Sequence, residues 1–478
     1  MLYNSLAFAV FLPIVFIIYW AVPHKCRWAL LLVASYYFYM CWNPKYIILI
    51  LVTTVISYLA AIGLERENCQ KKKKRIMAIA AVICLGVLFF FKYFNFFSSS
   101  IIDILNVLSI PMNPLTWKVI LPVGISFYTF QTLSYVIDVY KGDIKAEHHF
   151  GYYAAFISFF PQLVAGPIER AGNLLPQIKA VHRFEYEKAS YGIKRMVWGY
   201  FKKIVIADTL SQFVSAVYDN PQQYQGFALV IATLFFTLQI YCDFSGYSDI
   251  AIGTAKLLGI DLMTNFKSPY FSQSVKAFWS RWHISLSTWF RDYVYIPLGG
   301  NRVGKIRHGL NLMLTFLASG LWHGANWTFV VWGGIHGIAQ VAENAAAHNK
   351  LKDSKGLLGA LRVILCFLFC SFAWIFFVSD SLGDAFYVIG HLFSGCQSPI
   401  TYLREGIGKV GFSNIKMMEI TISVMLLAIY DFVSSKKDCI SSINEKNILI
   451  RHAFVIGIIL LIITCGYTGQ STFVYFQF

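Results

Sequence analysis

The chain has 478 residues, 57% of them hydrophobic and only 13% charged, where soluble domains carry about a quarter charged. That balance excludes a large soluble core as the main organisation and points to a protein embedded in lipid. A formal charge of +16 would suit nucleic acid, but the cations gather in short stretches between apolar runs, so nucleic-acid binding is set aside in favour of cytoplasmic loops and anionic lipid.

Apolar runs of spanning length occur at 5–22, 29–42, 46–64, 76–91, 226–241, 360–378, 418–430 and 453–466. A span takes about 20 apolar residues, fewer where the flanks snorkel, so the sequence predicts an all-α polytopic membrane protein with roughly ten to twelve membrane helices, some short or re-entrant. The first run, "LAFAVFLPIVFIIYW", has no basic residue before it and no small-residue cleavage site after it, and reads as a retained span. Basic stretches at 71–75 (KKKKR), 182–188, 300–309 and 434–438 read as loops. With Lys25 and Arg27 after the first span, residue 1 begins outside, 434–451 is inside, and the last span returns "VYFQF" to the outer face. The ten cysteines are scattered, and Cys366 and Cys370 lie one helical turn apart, a packing pattern; no disulfide or zinc framework is visible. The whole reads as one membrane domain, 1–478, in three parts: spans over 1–118, a motif-bearing part over 119–345, and further spans over 346–478.

The middle part departs from simple spans. "LPVGISFYTFQTLSYVIDVY" (121–140) and "FFPQLVAGPIER" (159–170) carry Pro122, Gly124, Gln131, Pro161 and Pro167 inside apolar stretches. Non-helical backbone at membrane depth survives only where protein or a water-filled cavity satisfies it, so these breaks mark either re-entrant elements around a cavity or plain kinks. "LQIYCDFSGYSDIAIG" (238–253) brings Asp243 and Asp249 into an apolar run. Arg281 and Arg291 are their expected partners in a structural ion pair; alternatively Asp243 orients a histidine. The stretch 277–302 predicts an amphipathic helix with Arg281, Ser285 and Thr288 on one face and Trp282 and Trp289 elsewhere. It is expected to lie on or dip into the cytoplasmic face, end at Pro297 and Gly299-Gly300, and lead through the basic "NRVGKIRH" loop to a short span over 309–321.

That span delivers His323 into the membrane, where ionisable groups are costly and functional by default. Gly320 and Gly324 allow close approach, and Trp322 and Trp327 would exclude water. Histidine titrates near neutrality, so His323 suits proton transfer to and from a hydroxyl. His283, in "SRWHISLS", reads either as a second polar wall of the same site or as an interfacial helix cap. His336 reads as a packing histidine. The His348–Asp353 spacing falls in a charged loop and the Asn326 sequon in an apolar run, so both are discarded as acyltransferase and glycosylation signals. No phosphate-binding loop, nucleophile elbow or H-E-x-x-H motif is present.

"FWSRWHISLSTWFRDYVYIPLGGNR" followed by "LWHGANWTFVVWGGIHG", with "QIYCDFSGYSDIAIG", "PQLVAGPIER" and the terminal "VYFQF", resembles the membrane-bound O-acyltransferase family. More narrowly, it resembles the bacterial branch of alginate and peptidoglycan O-acetyltransferase membrane subunits, from about residue 120 to the end. The resemblance implies that His323 is the catalytic histidine and His283 the second polar residue. It implies a ring of tilted helices around a tunnel, with an acyl thioester entering from the cytoplasm and the acceptor from the other face. It also implies an extracytoplasmic partner of the SGNH-hydrolase type that places the acyl group on a polysaccharide. "IPLGGNR" after "WFRDY" favours acetyl over D-alanyl transfer.

The leading expectation is thus O-acetyl transfer for export in a bacterial cytoplasmic (inner) membrane. Acetyl-CoA would be a donor substrate rather than a resident cofactor, and no metal is called for. It would dock near Arg281, Arg291, Arg302 and Lys305, whose arginine forks suit phosphates. Trp282, Ser287, Trp289, Trp322, Asn326 and Asp243 complete the candidate substrate contacts. His323 would act as general base or be acylated itself. The alternatives are D-alanyl transfer from a carrier protein to teichoic acid, and a transporter that makes no bond; the absence of an internal repeat weighs against the latter.

Overall fold

The computed structural model describes residues 1–110, 116–117, 121–346, 354–469 and 473–474. Every regular element among the described residues is helical, as the apolar runs predict. Among the described residues six helices are long and apolar enough to cross a bilayer: Pro44–Arg66, Gln70–Val107, Phe227–Leu257, Gly356–Val378, Asn414–Ser434 and Ile448–Cys465; Leu6–Ala21 is a shorter apolar helix. The protein is a multi-pass membrane protein. Large apolar side chains such as Ile456, Leu460 and Ile463 stand outward on the last of these helices, where lipid takes the place of water. The His348–Asp353 pair and, apart from Val474, the terminal "VYFQF" lie outside the described residues.

The chain forms two compact units, Met1–Ile193 with Ala251–Met263, and Lys194–Ile250 with Thr264–Phe478. In the first, Ser5 starts Leu6–Ala21 by accepting from the Phe8 amide at 3.2 Å. The KKKKR stretch is not a loop: it forms the opening turns of Gln70–Leu88, because unbranched lysines are good helix formers and continue directly into the apolar run. The breaks at 121–124 and 159–166 are satisfied by protein. The Phe156 carbonyl accepts from the amides of both Gln131 (3.1 Å) and Gln162 (2.9 Å). Gly124 sits at φ 75, and a Cβ there would lie 2.5 Å from the Leu163 carbonyl oxygen, so this turn requires glycine.

In the second unit, two close backbone approaches set the frame. A Cβ on Gly199 would lie 2.7 Å from the Gly246 carbonyl oxygen, which brings the end of Tyr186–Tyr200 against Phe227–Leu257. Lys305–His323 and Trp327–Ala346 form a tight hairpin: a Cβ on Gly320 would meet the Phe329 carbonyl oxygen at 2.3 Å, and one on Gly333 the Phe316 carbonyl oxygen at 2.4 Å. Small residues at such a seam let helices pack by van der Waals contact where lipid offers no hydrophobic drive. Asn326 turns the hairpin by accepting from the Thr328 amide at 3.1 Å and donating to the Asp380 carbonyl at 2.7 Å.

Two expectations for this region are corrected. The amphipathic stretch is not one helix but three pieces, Val275–Trp279, Ile284–Phe290 and the wide turn Arg291–Tyr295. It breaks at 280–283 because the chain there is tied to the preceding extended segment: Lys267 donates to the Arg281 carbonyl (3.0 Å) and Ile284 to the Asn265 carbonyl (2.9 Å). The following helix starts at Lys305, so Lys305, Arg307 and His308 belong to its first turn rather than to a loop. Gly299 (φ 109) and Gly300 (φ 54) do end the preceding segment, as their sequence position suggests.

Candidate functional site

His323 is the last residue of Lys305–His323 and is 3% exposed. Gly324 follows because a Cβ there would lie 2.0 Å from the Phe329 ring. Aromatic rings surround the imidazole: Trp322 at 4.9 Å between centroids, Trp332 at 5.0 Å and Phe377 at 5.4 Å. Trp332 stacks on Trp374 at 5.5 Å, which fixes that wall. Such an aromatic enclosure leaves little room for solvent around the ring.

His283 meets His323 here, with ring centroids 6.4 Å apart. It occupies the N-terminal boundary of Ile284–Phe290 without capping that helix by its side chain. Its backbone is left-handed, φ 43 and ψ 54, a conformation that costs a β-carbon-bearing residue energy and that surrounding structure must hold in place. Phe244 packs edge-on at 4.6 Å and Trp322 at 6.0 Å. Neighbouring Trp282 is fully buried, stacked on Phe278 at 5.4 Å and packed on Trp374 at 5.1 Å.

A cavity of about 520 Å³ opens beside this pair. Lys276, Arg291 and His308 bring cationic or titratable groups to its wall; Ser287, Thr288 and Asn344 add polar ones. It reaches Phe316 and Ser319, and Ser319 is one helical turn before His323. Leu286 and Ile284, just after His283, line it too. Neither His323 nor His283 is on its wall, and of the expected donor contacts only Arg291 and Ser287 are. Trp289 packs instead on Tyr293 at 5.0 Å. Arg281 reaches the Phe271 carbonyl at 3.5 Å, and Arg302 and Lys305 are exposed elsewhere. Sequence reasoning missed Lys276, His308 and Asn344, whose spacing carries no motif and which converge only through the helix breaks.

Asp243 and Asp249 do sit in ion pairs, but not with Arg281 or Arg291. The wide helical turn Phe201–Ala207 delivers two consecutive lysines to them. Lys203 bridges Asp243 (2.6 Å) and Asp208 (2.8 Å). Lys202 meets Asp249 at 2.6 Å, and Arg195 meets it at 2.9 Å. The other Asp243 oxygen accepts from the Val474 amide at 2.7 Å. His336 is fully buried and accepts from the Trp279 indole at 3.2 Å, the packing role expected of it.

The family model of the membrane-bound O-acyltransferase family matches residues 143–381, a window that holds both histidines. The chain is 37% identical over 434 residues to the probable alginate O-acetylase of Pseudomonas aeruginosa, covering 90% of this chain and 81% of that protein. It is 34% identical over 428 residues to the peptidoglycan O-acetyltransferase of Helicobacter pylori, with 81% and 79% covered. Similarity to the teichoic acid D-alanyltransferase of Streptococcus thermophilus is 30% over 245 residues, 48% of this chain and 59% of that one.

Proposed function

We propose that this chain, which belongs to the membrane-bound O-acyltransferase family and is an O-acyltransferase, takes an acetyl group from cytoplasmic acetyl-CoA and passes it to a hydroxyl on the outer side of a bacterial cytoplasmic membrane. The observation that carries the reading is the cavity with Lys276 and Arg291 on its wall, whose lining includes Ser319, one turn from His323. A lysine and an arginine suit the phosphates of the coenzyme, and the volume lies in the usual range for small-molecule sites. Acetyl is favoured over D-alanyl because the relatives named O-acetylases align over most of the chain, whereas those named D-alanyltransferases align over about half.

In this reading His323 takes the proton of the acceptor hydroxyl as its oxygen attacks the thioester carbonyl. The new C–O bond forms, the C–S bond breaks, and the proton passes from His323 to the leaving thiolate, which departs as the free thiol. His283 forms the second polar wall. Trp322, Trp332 and Phe377 keep water from hydrolysing the thioester. The hydroxyl is presented by a secreted SGNH-type partner that hands the group on to a polysaccharide. The relatives' names support a polymer acceptor of this class.

The test is acetyl transfer by purified protein in lipid nanodiscs, with [14C]acetyl-CoA as donor. A positioned base contributes about 10²–10⁴ in rate, so His323→Ala should stay folded and lose at least about 10²-fold. Near wild-type transfer by that variant would remove His323 from the chemistry. Transfer that runs only with a D-alanyl carrier would replace the donor.

A further inference from the structure

One of the residues that hold the chain just after the left-handed His283 also sets where the protons of its ring sit. Asn265 is fully buried. Its backbone carbonyl accepts from the Ile284 amide at 2.9 Å, immediately after the strained residue. Its side-chain oxygen has three polar neighbours: the Ser285 amide at 3.2 Å, the Ser285 hydroxyl at 2.9 Å and His283 Nδ1 at 3.2 Å. Its side-chain nitrogen donates to the Ser248 hydroxyl at 3.3 Å.

The distances in this cluster favour one hydrogen-bond arrangement. The Ser285 backbone N–H can only donate, so the Asn265 atom facing it is the carbonyl oxygen and the amide cannot be flipped. That oxygen can only accept, so a neutral His283 must place its ring proton on Nδ1 and donate there. The Ser285 hydroxyl also lies 3.4 Å from His283 Nδ1, but its contact with the Asn265 oxygen, at 2.9 Å, is much the shorter and takes its proton. Nε2 then holds the lone pair.

We propose that Asn265 is a positioning residue that locks His283 as the Nδ1–H tautomer, making Nε2 its proton-accepting atom in the transfer site. This rests on the reading of His323 and His283 given above. A carbonyl rather than a carboxylate behind His283 holds the ring's orientation while stabilising its protonated form far less than a carboxylate would.

The elements packed around His283 bring few charges. His323 is the titratable group facing it from Lys305–His323. Phe244 and Phe266 face it from their segments. Asp243 and Asp249, on the helix of Phe244, are engaged by Lys203 and by Lys202 with Arg195. Replacing Asn265 by aspartate therefore adds one new charge at the back of the ring, which favours imidazolium.

The experiment is the pH–rate profile of acetyl transfer by wild type, Asn265→Asp, Asn265→Leu and His283→Ala in nanodiscs. Loss of an orienting partner typically costs 10–100-fold, so Asn265→Leu should lose about that much in kcat with KM changed less. Asn265→Asp should regain most of the rate on the alkaline side, while the acid limb of its profile moves up by about one pH unit or more. If Asn265→Asp is active with its acid limb unmoved, or if Asn265→Leu runs at the wild-type rate, the proposal is overturned and Asn265 merely ties two segments together. If His283→Ala runs at the wild-type rate, the failure lies in the underlying assignment of the site.

Discussion

Lys203→Met puts the buried charge network under the sharpest strain. Lys203 Nζ lies 2.6 Å from Asp243 and 2.8 Å from Asp208, and the three side chains are 5%, 2% and 6% exposed. Removing the cation leaves two carboxylates facing each other in a low-dielectric interior. Breaking a buried pair by deleting one partner costs about 3–5 kcal/mol, a large part of a total stability of about 5–15 kcal/mol. Asp243→Asn is milder. The Lys203–Asp208 pair survives, and the side-chain oxygen still accepts from the Val474 amide, so the loss should be about 1–3 kcal/mol. Lys203→Met with Asp243→Asn should cost less than the sum of the two, by about 0.5–3 kcal/mol of coupling. Thermal unfolding of the detergent-solubilised protein, followed by size-exclusion chromatography, reads the order directly. A Lys203→Met protein as stable as wild type, or an Asp243→Asn protein less stable than the Lys203→Met protein, would refute the assignment of this network as a structural clamp.

Other substitutions test the frame and the donor site. Gly333→Val should push the hairpin apart, because even a Cβ would stand 2.4 Å from the Phe316 carbonyl oxygen; overpacking of this kind costs about 1–3 kcal/mol, and transfer should fall with the displaced His323. Lys276→Ala with Arg291→Ala should raise KM for acetyl-CoA while leaving kcat within a few-fold, and rising salt should weaken donor binding less in that variant than in wild type; unchanged KM would move the donor elsewhere. Trp332→Leu should raise hydrolysis of acetyl-CoA relative to transfer by opening the box around His323, measured as free thiol released without acceptor.

Much of the fold was legible because membrane spans announce themselves by length and apolarity; each run read from the sequence lies on a helix. The burial of His323 among aromatic rings was legible for a related reason, since it stands beside glycines and tryptophans in an apolar run, and its proposed role follows from the cost of an ionisable group there. The partners were not legible. Asp243 and Asp249 look toward arginines in the sequence, but a wide turn at Phe201–Ala207 brings consecutive lysines to them, and no spacing rule foretells that turn. His283 sits where amphipathic periodicity predicts unbroken helix. Its left-handed kink is held where Lys267 takes the Arg281 carbonyl before it and Asn265, a residue without any motif around it, captures the Ile284 and Ser285 amides after it. The cavity was half legible: Arg291 and Ser287 were anticipated, while Lys276 and His308 enter its wall only once the predicted single helix has broken into pieces.

The most direct measurement is a cryo-EM map of the protein with a non-hydrolysable acetyl-CoA analogue. The account predicts phosphate density at Lys276 and Arg291, and the analogue's acyl carbon about 3–4 Å from the His323 ring, the reach of a near-attack geometry. Density that fills the cavity but stops short of Ser319, with the His323 ring still closed in by Trp322, Trp332 and Phe377, would contradict it.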